Sequence, residues 1–144
     1  MAITTNAIAS SFKKELLEGK HDFTASTGSA FKLAMYNSNA VLGKSTTSYT
    51  TGSEVTSPAG YTAGGKALVN TGTSVSSSVA ITTFGNLSFT NVTLTARGAL
   101  IYNTSNSNTG VAVLDFGSDK TATAGTFTIQ FPAFTTSAAI LRIS

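Results

Sequence analysis

The sequence has no cysteine, no tryptophan, a single histidine and no long apolar run. Without cysteine there are no disulfides, thiolate metal sites or thiol nucleophiles, and one histidine, His21, cannot form a histidine-rich metal site. No stretch of 18 apolar residues is available to cross a membrane as a helix, and the first 30 residues lack the basic and apolar regions of a signal peptide. We therefore expect no metal, no cofactor and no membrane partner.

Charge is also scarce. Charged residues make up 10% of the chain, against about 25% in an ordinary globular protein, while 25 threonines and 19 serines supply most of its polarity. The net charge of +3 comes from scattered basic residues rather than from a basic patch, so we expect no nucleic-acid partner. This composition disfavours long solvated helices and favours hydroxyl-decorated strands.

One segment, residues 6–19, has the pattern of a helix. An apolar side chain recurs there every four residues, at Ile8, Phe12 and Leu16, and Leu17 widens this stripe. Asn6 or Ser10 is positioned to cap its start, and Gly19 is a typical stop. The pattern predicts an N-terminal helical segment within residues 1–19.

From residue 24 onward, apolar residues alternate with polar ones, which is typical of strands. The clearest runs are 31–36, 75–81, 87–94, 100–103, 111–116, 127–131 and 138–143. Residues 104–110 form a polar hairpin loop in this pattern, and a change of parity at Thr90 and Asn91 predicts a bulge or turn. We predict one mainly β domain over residues 1–144: an antiparallel sandwich or barrel, jelly-roll or immunoglobulin-like, of about seven or eight strands.

Between residues 37 and 65 the alternation stops, and Ser, Thr and Gly dominate. Val41, Leu42, Val55 and Tyr61 are isolated apolar residues in this stretch. Loops longer than about 12–15 residues are uncommon in compact domains and usually have a purpose or are mobile. The segment is either a surface loop ordered by those side chains or an arm that orders against a neighbouring subunit.

Residues 60–67 approach the phosphate-loop pattern but lack its essential parts. Ala67 stands where that motif needs a hydroxyl for Mg²⁺, no apolar strand precedes it, and a strand rather than a helix follows. We interpret the segment as a glycine turn leading into a strand.

Other candidate chemistry is equally weak. Asp115 and Asp119 are two carboxylates without further placed ligands for a cation, so we expect residues 115–117 to end a strand and Asp119 to stabilise a turn. His21 beside Asp22 has no recognisable nucleophile nearby, and a histidine just past a helix end usually serves the helix dipole or a turn. We therefore expect no catalytic residues and no enzymatic activity.

Two arginines leave two interpretations open. Arg97 lies in an apolar stretch and is either an edge-strand residue above Asp115 or Asp119 or an anchor in a protein interface, where arginine is enriched. Arg142 presents the same choice.

Six segments occur in an order that carries a resemblance: 31–36 (FKLAMY), 61–68 (YTAGGKAL), 95–103 (TARGALIYN), 113–117 (VLDFG), 125–132 (GTFTIQFP) and 139–143 (AILRI). Together they resemble a family of small virion structural proteins of tailed bacteriophages, notably cyanophages and other marine phages, over roughly residues 12–144. The resemblance implies a capsid decoration (cement) protein on the outer surface of the head, made in the cytoplasm of the bacterial host. It further implies the major capsid protein as partner and a homotrimer at local three-fold axes.

Two other functions stay open: a head–tail adaptor, neck or fibre-base protein, and a carbohydrate-binding sandwich. The last normally needs exposed aromatic side chains. If the protein binds other subunits, we expect the apolar stripe of the helix and the 37–65 arm to form the interface, together with the two arginines. The candidate interface residues are Ile8, Phe12, Leu16, Tyr61, Arg97 and Arg142.

Overall fold

The computed structural model describes residues 3–56 and 60–144, and its architecture is mainly antiparallel β. The elements, in chain order, are β1 (Ala7–Ile8), α1 (Ser10–Leu17), β2 (Phe31–Tyr36), β3 (Lys66–Ala67), β4 (Asn70–Ser76), β5 (Val79–Phe84), β6 (Leu87–Asn103), β7 (Thr109–Ile129) and β8 (Leu141–Ile143). One sheet has the order β1-β7-β6-β2-β3 and the other β4-β5-β8. The predicted mainly β fold of eight strands with one N-terminal helix is confirmed. Residues 1–2 and 57–59, within the predicted helical segment and arm, lie outside the described residues.

A long hairpin of β6 and β7 dominates the larger sheet. The two strands pair from Asn103 and Thr109 at the loop to Leu87 and Ile129 at the far end, which confirms the predicted hairpin loop. The flanking strands are much shorter: β2 pairs only with residues 98–103 of β6, and β1 only with residues 112–113 of β7. The end of the hairpin away from the loop is therefore a two-stranded ribbon.

Bulges shape this hairpin. The predicted irregularity at Thr90 and Asn91 is confirmed, because Asn91 has φ 50° and the register shifts there. The prediction that residues 115–117 end a strand is wrong. Gly117 takes φ +81° inside β7, so the strand bulges and continues, and Asp119 is an exposed strand residue rather than a turn residue.

The helix is shorter than predicted. It begins at Ser10 rather than residue 6, because Ala7 and Ile8 pair with β7 instead. The Asn6 side chain does not cap the helix; its Oδ1 accepts a hydrogen bond from the backbone N–H of Asp115 at 2.6 Å. The last strand is also shorter, since residues 138 and 139 donate to a turn carbonyl before β8 starts.

Both faces of the larger sheet are covered around β2, whereas the outer face of the ribbon is exposed. Its strands contribute alternate side chains to two clusters, so nearly every residue of β2 is buried. The main core lies between this sheet, α1 and the smaller sheet and includes Phe12, Phe23, Phe31, Leu33, Phe84, Phe89, Ile101, Phe127, Ile129 and Leu141. The second cluster lies under the 37–65 segment and comprises Ile3, Ala34, Tyr36, Ala40, Leu100, Tyr102 and Val113.

Candidate functional sites

The 37–65 segment is held to the larger sheet by a buried carboxylate. Glu54 accepts hydrogen bonds from the hydroxyl of Tyr49 at 2.5 Å, the hydroxyl of Tyr61 at 2.7 Å and the backbone N–H of Gly64 at 2.7 Å. The Tyr61 hydroxyl also accepts from the backbone N–H of Met35 in β2, at 2.9 Å. Three donors thus satisfy a carboxylate that forms no ion pair with any of the described residues.

The other two tyrosines belong to the same cluster. Tyr36 donates to the carbonyl of Thr50 at 2.7 Å, and Tyr102 donates to the carbonyl of Gly64 at 2.5 Å and stacks on Tyr49. Burial, aided by the charge of Glu54, raises the pKa of each tyrosine. All four therefore stay neutral and act as hydrogen-bond donors.

These contacts decide how the described part of the arm lies. Val55 and Tyr61 are buried within their own chain, whereas Val41 is 70% exposed. The described part of the arm therefore packs on its own sheet through apolar and tyrosine side chains.

The phosphate-loop-like segment is part of this arrangement. The amide of Gly64 is already bonded to Glu54, and a Cβ on Gly65, whose φ is +81°, would lie 1.8 Å from the carbonyl oxygen of Leu33. Lys66 begins β3 and donates to the carbonyl of Ser88 at 2.6 Å. The interpretation as a glycine turn leading into a strand is confirmed.

His21 forms a second buried polar cluster that the sequence did not indicate. Its side chain is fully buried, with Nδ1 2.9 Å from the amide nitrogen of Asn103 and Nε2 3.5 Å from Glu15. Because an amide nitrogen can only donate, Nδ1 is the acceptor and Nε2 carries the proton, as assigned from this network. Asn106 also donates to Glu15, at 3.0 Å. The cluster joins α1 to the β6–β7 loop.

Burial lowers the pKa of His21, and the neighbouring Glu15 carboxylate partly offsets this effect. Asp22, the carboxylate next to His21 in sequence, accepts from the backbone N–H and the hydroxyl of Thr24 instead of pairing with His21.

The two arginines differ in their partners. Arg97 pairs with Asp115, Nε to Oδ1 at 3.3 Å, which agrees with one of its two interpretations, although β6 is an interior strand. Arg142 donates to the carbonyl of Ser137 at 3.0 Å, and none of the ion pairs among the described residues includes it.

The other candidate interface residues lie largely inside the chain. Phe12 and Tyr61 are buried, and Ile8 and Leu16 are half-buried against the main core. The apolar stripe of the helix is therefore directed at its own sheets, since burial there removes it from water. The prediction that Leu17 widens this stripe is wrong, because its side chain is 91% exposed.

A groove of about 910 Å³ opens between α1, the segment after it, and the smaller sheet. The side chains that line it are mainly apolar and include Phe12, Leu16, Leu17, Phe23, Ala80, Leu141 and Ile143. Its charged lining residues are Lys13, Asp22 and Arg142, so both signs are present.

Residues 88–95 and 121–128 of the ribbon contain no charged residue, and Arg97, Asp119 and Lys120 follow directly towards the loop end of the hairpin. Between its inward apolar residues, β6 and β7 direct eight hydroxyl side chains outward, here called the hydroxyl face: Ser88, Thr90, Thr93, Thr95, Thr121, Thr123, Thr126 and Thr128. Hydroxyls bond across the strands, Ser88 to Thr128 at 3.1 Å and Thr95 to Thr121 at 2.8 Å.

Within residues 3–56 and 60–144 there is no cluster of three or more potential metal-ligating side chains. Over the same residues, no helix is long and apolar enough to cross a membrane. Comparison of the chain with family models, curated proteins and solved structures gave no match.

Proposed function

We propose that this chain is a non-enzymatic structural protein of a tailed bacteriophage virion. In this proposal it is a decoration protein that binds the outer surface of the head and clamps neighbouring major capsid subunits, as a homotrimer. The ordered sequence segments that resemble phage virion proteins support the virion assignment.

The observation that carries the contact role is the hydroxyl face. Depletion of charged residues is what distinguishes the centre of a protein interface from the remaining surface. Eight neighbouring outward positions without a charge show that depletion on an exposed, cross-bonded ribbon. Hydroxyls both donate and accept hydrogen bonds, so this face can pair with the backbone of a capsid subunit.

The tyrosines count against a carbohydrate-binding role. Sugar sites need exposed aromatic rings, yet Tyr36, Tyr61 and Tyr102 are buried and Tyr49 is stacked on Tyr102. The chain contains no tryptophan to replace them.

Binding to capsids tests the contact role directly. We expect the purified protein to co-sediment with capsids that lack it, and Thr95→Lys and Thr126→Lys to weaken this binding because each buries an unpaired charge in the contact. Ser76→Lys, an exposed hydroxyl on β4 in the other sheet, is the matched control and should bind as the wild type does. If the wild type, the two hydroxyl-face variants and the control bound capsids equally, the role of the hydroxyl face would be refuted.

Copy number separates the capsid position from the neck or fibre base. Gel densitometry of purified virions against the major capsid protein should show hundreds of copies for a decoration protein. A dozen or fewer copies would instead establish the adaptor, neck or fibre-base alternative.

A further inference from the structure

The groove beside α1 ends in an exposed apolar surface. Val75, Ala80 and Ile143 are directly paired across β4, β5 and β8, so their side chains form one row on the smaller sheet. Val75 is 71% and Ile143 57% exposed, and Leu17 lies at the groove with 91% exposure. We call Leu17 and this row the groove mouth.

Scattered apolar residues on a surface are ordinary, but a contiguous set beside an apolar groove marks an interaction site. Three of the six large apolar residues that are exposed among the described residues belong to the groove mouth. The groove continues their apolar surface inward to Phe12, Phe23 and Leu141, which form part of the main core.

The chemistry of the surface suits a second copy of this chain. The three strands of the smaller sheet contain a single charged residue, Arg142, so two copies meet without strong like-charge repulsion. The groove has cations at Lys13 and Arg142 and an anion at Asp22, so one copy can supply the counter-charge for another. A surface with only one sign of charge would not match itself in this way.

The shape is complementary to itself as well. The same molecule has a protruding apolar side chain, Leu17, and an apolar groove of about 910 Å³. Because Leu17 itself lines this groove, both copies use the same patch, which is the isologous geometry of a two-fold dimer.

We propose that two copies of this chain associate through the groove mouth, each packing its Leu17 into the groove of the other. This two-fold contact is additional to the homotrimer of the proposed function. It rests on the groove and the apolar row and does not depend on the virion assignment.

Sedimentation velocity of the full chain tests the proposal. At about 0.1 mM, where an association of micromolar strength is complete, we expect the wild type to be oligomeric. Leu17→Lys and Ile143→Lys should each weaken association about tenfold or more, because each removes buried apolar surface and introduces a charge. Val41→Lys, a similarly exposed valine outside the groove, is the control and should associate as the wild type does.

A melt of each protein at low concentration shows whether the variants fold. The melting temperature of the wild type should also rise with protein concentration, since association stabilises the folded state, and this rise should be lost in the two groove-mouth variants. A monomeric wild type, or groove-mouth variants that associate normally, would overturn the proposal.

Capsid co-sedimentation of the same variants separates the two proposals. A wild-type protein that is monomeric but still binds capsids overturns only the groove-mouth inference. A wild-type protein that is oligomeric but does not bind capsids overturns only the proposed function. A monomeric wild type whose capsid binding is abolished by Leu17→Lys would show that the mouth binds a different protein, which also overturns the inference.

Discussion

At the scale of single residues, the most consequential hydroxyl is that of Tyr61. It donates to the buried Glu54 carboxylate and accepts from the Met35 amide in β2, so one atom joins the arm to the sheet. Removing it leaves two buried groups short of a partner. Unsatisfied buried groups cost about 1–3 kcal/mol each.

We therefore expect Tyr61→Phe to lower the free energy of unfolding by about 1–3 kcal/mol or more in urea titrations. Tyr49→Phe is the control, since it removes one bond to Glu54 at a half-buried site and should cost less. Equal effects of the two substitutions would show that the second bond of Tyr61 contributes nothing.

His21 makes stability depend on pH. Its pKa in the folded state lies below the ordinary 6.5, mainly because of burial. Below about pH 6.5 the unfolded chain then binds a proton that the folded chain does not, so stability is full above this pH and falls as the pH drops towards the folded pKa.

Thermal melts of the wild type from pH 7.5 to pH 5 should show this loss, and His21→Gln, which cannot titrate, should show a flatter profile. The lowered pKa values of Glu18 and Asp22 act only at lower pH, since their ordinary values are 4.5 and 3.8. If the melting temperatures of the two proteins fell in parallel with pH, His21 would be excluded as the cause of the pH dependence.

At the scale of elements, the turn into β3 depends on a close approach of two backbones. Gly65 and Gly117 share φ +81°, but only Gly65 lies against another segment, with the Leu33 carbonyl 1.8 Å from the position of a Cβ. Gly117 has nothing within 4 Å of that position.

Gly117→Ala should consequently cost only the strain of a left-handed backbone, about 1–2 kcal/mol. Gly65→Ala should cost clearly more, because β3 must also move away from β2. Chemical denaturation of both variants measures the difference, and equal losses of stability would show that β3 moves without cost.

Some helix and strand positions could be predicted from the sequence alone, and others could not. The alternating pattern of the sequence located the buried strands well. In β2, for example, alternate residues belong to the two clusters on opposite faces of the sheet. The sequence pattern failed at Ala7 and Ile8, where pairing with β7 competes with a short helix, and at Gly117, where a glycine continues a strand through a bulge rather than ending it.

At the scale of the whole molecule, the scarcity of charge governs how it can bind. With 10% charged residues, contacts must come mainly from apolar surface, hydroxyls and backbone. Salt screens exposed charges, with a Debye length of about 3 Å at 1 M, and leaves apolar contact intact or strengthened.

Capsid binding should accordingly survive about 1 M NaCl in co-sedimentation, with a melt at the same salt confirming that the protein stays folded. Loss of binding at moderate salt would instead assign the contact to Arg97, Arg142 and the lysines.

The candidate sites were harder to anticipate than the fold, for a physical reason. His21 meets Asn103 only after segments distant in sequence have come together. Glu54 lies within seven residues of Tyr49 and Tyr61, but the cluster is fixed to the sheet only through the bond of Tyr61 to Met35 in β2. The one available signal was Glu54, the single charged residue between Lys44 and Lys66. His21 gave no such signal, because it lies among the charged residues Glu18, Lys20 and Asp22.

The long β6–β7 hairpin has a consequence for how the chain folds. Its first pair, Asn103 with Thr109, closes a very short loop, and each later pair extends a ladder already formed, out to Leu87 with Ile129. Hairpins form in about 1–10 μs, and pairings that begin close in sequence avoid most of the entropy of closing long loops. We therefore expect this hairpin to form first and the N-terminal elements and the smaller sheet to assemble onto it afterwards.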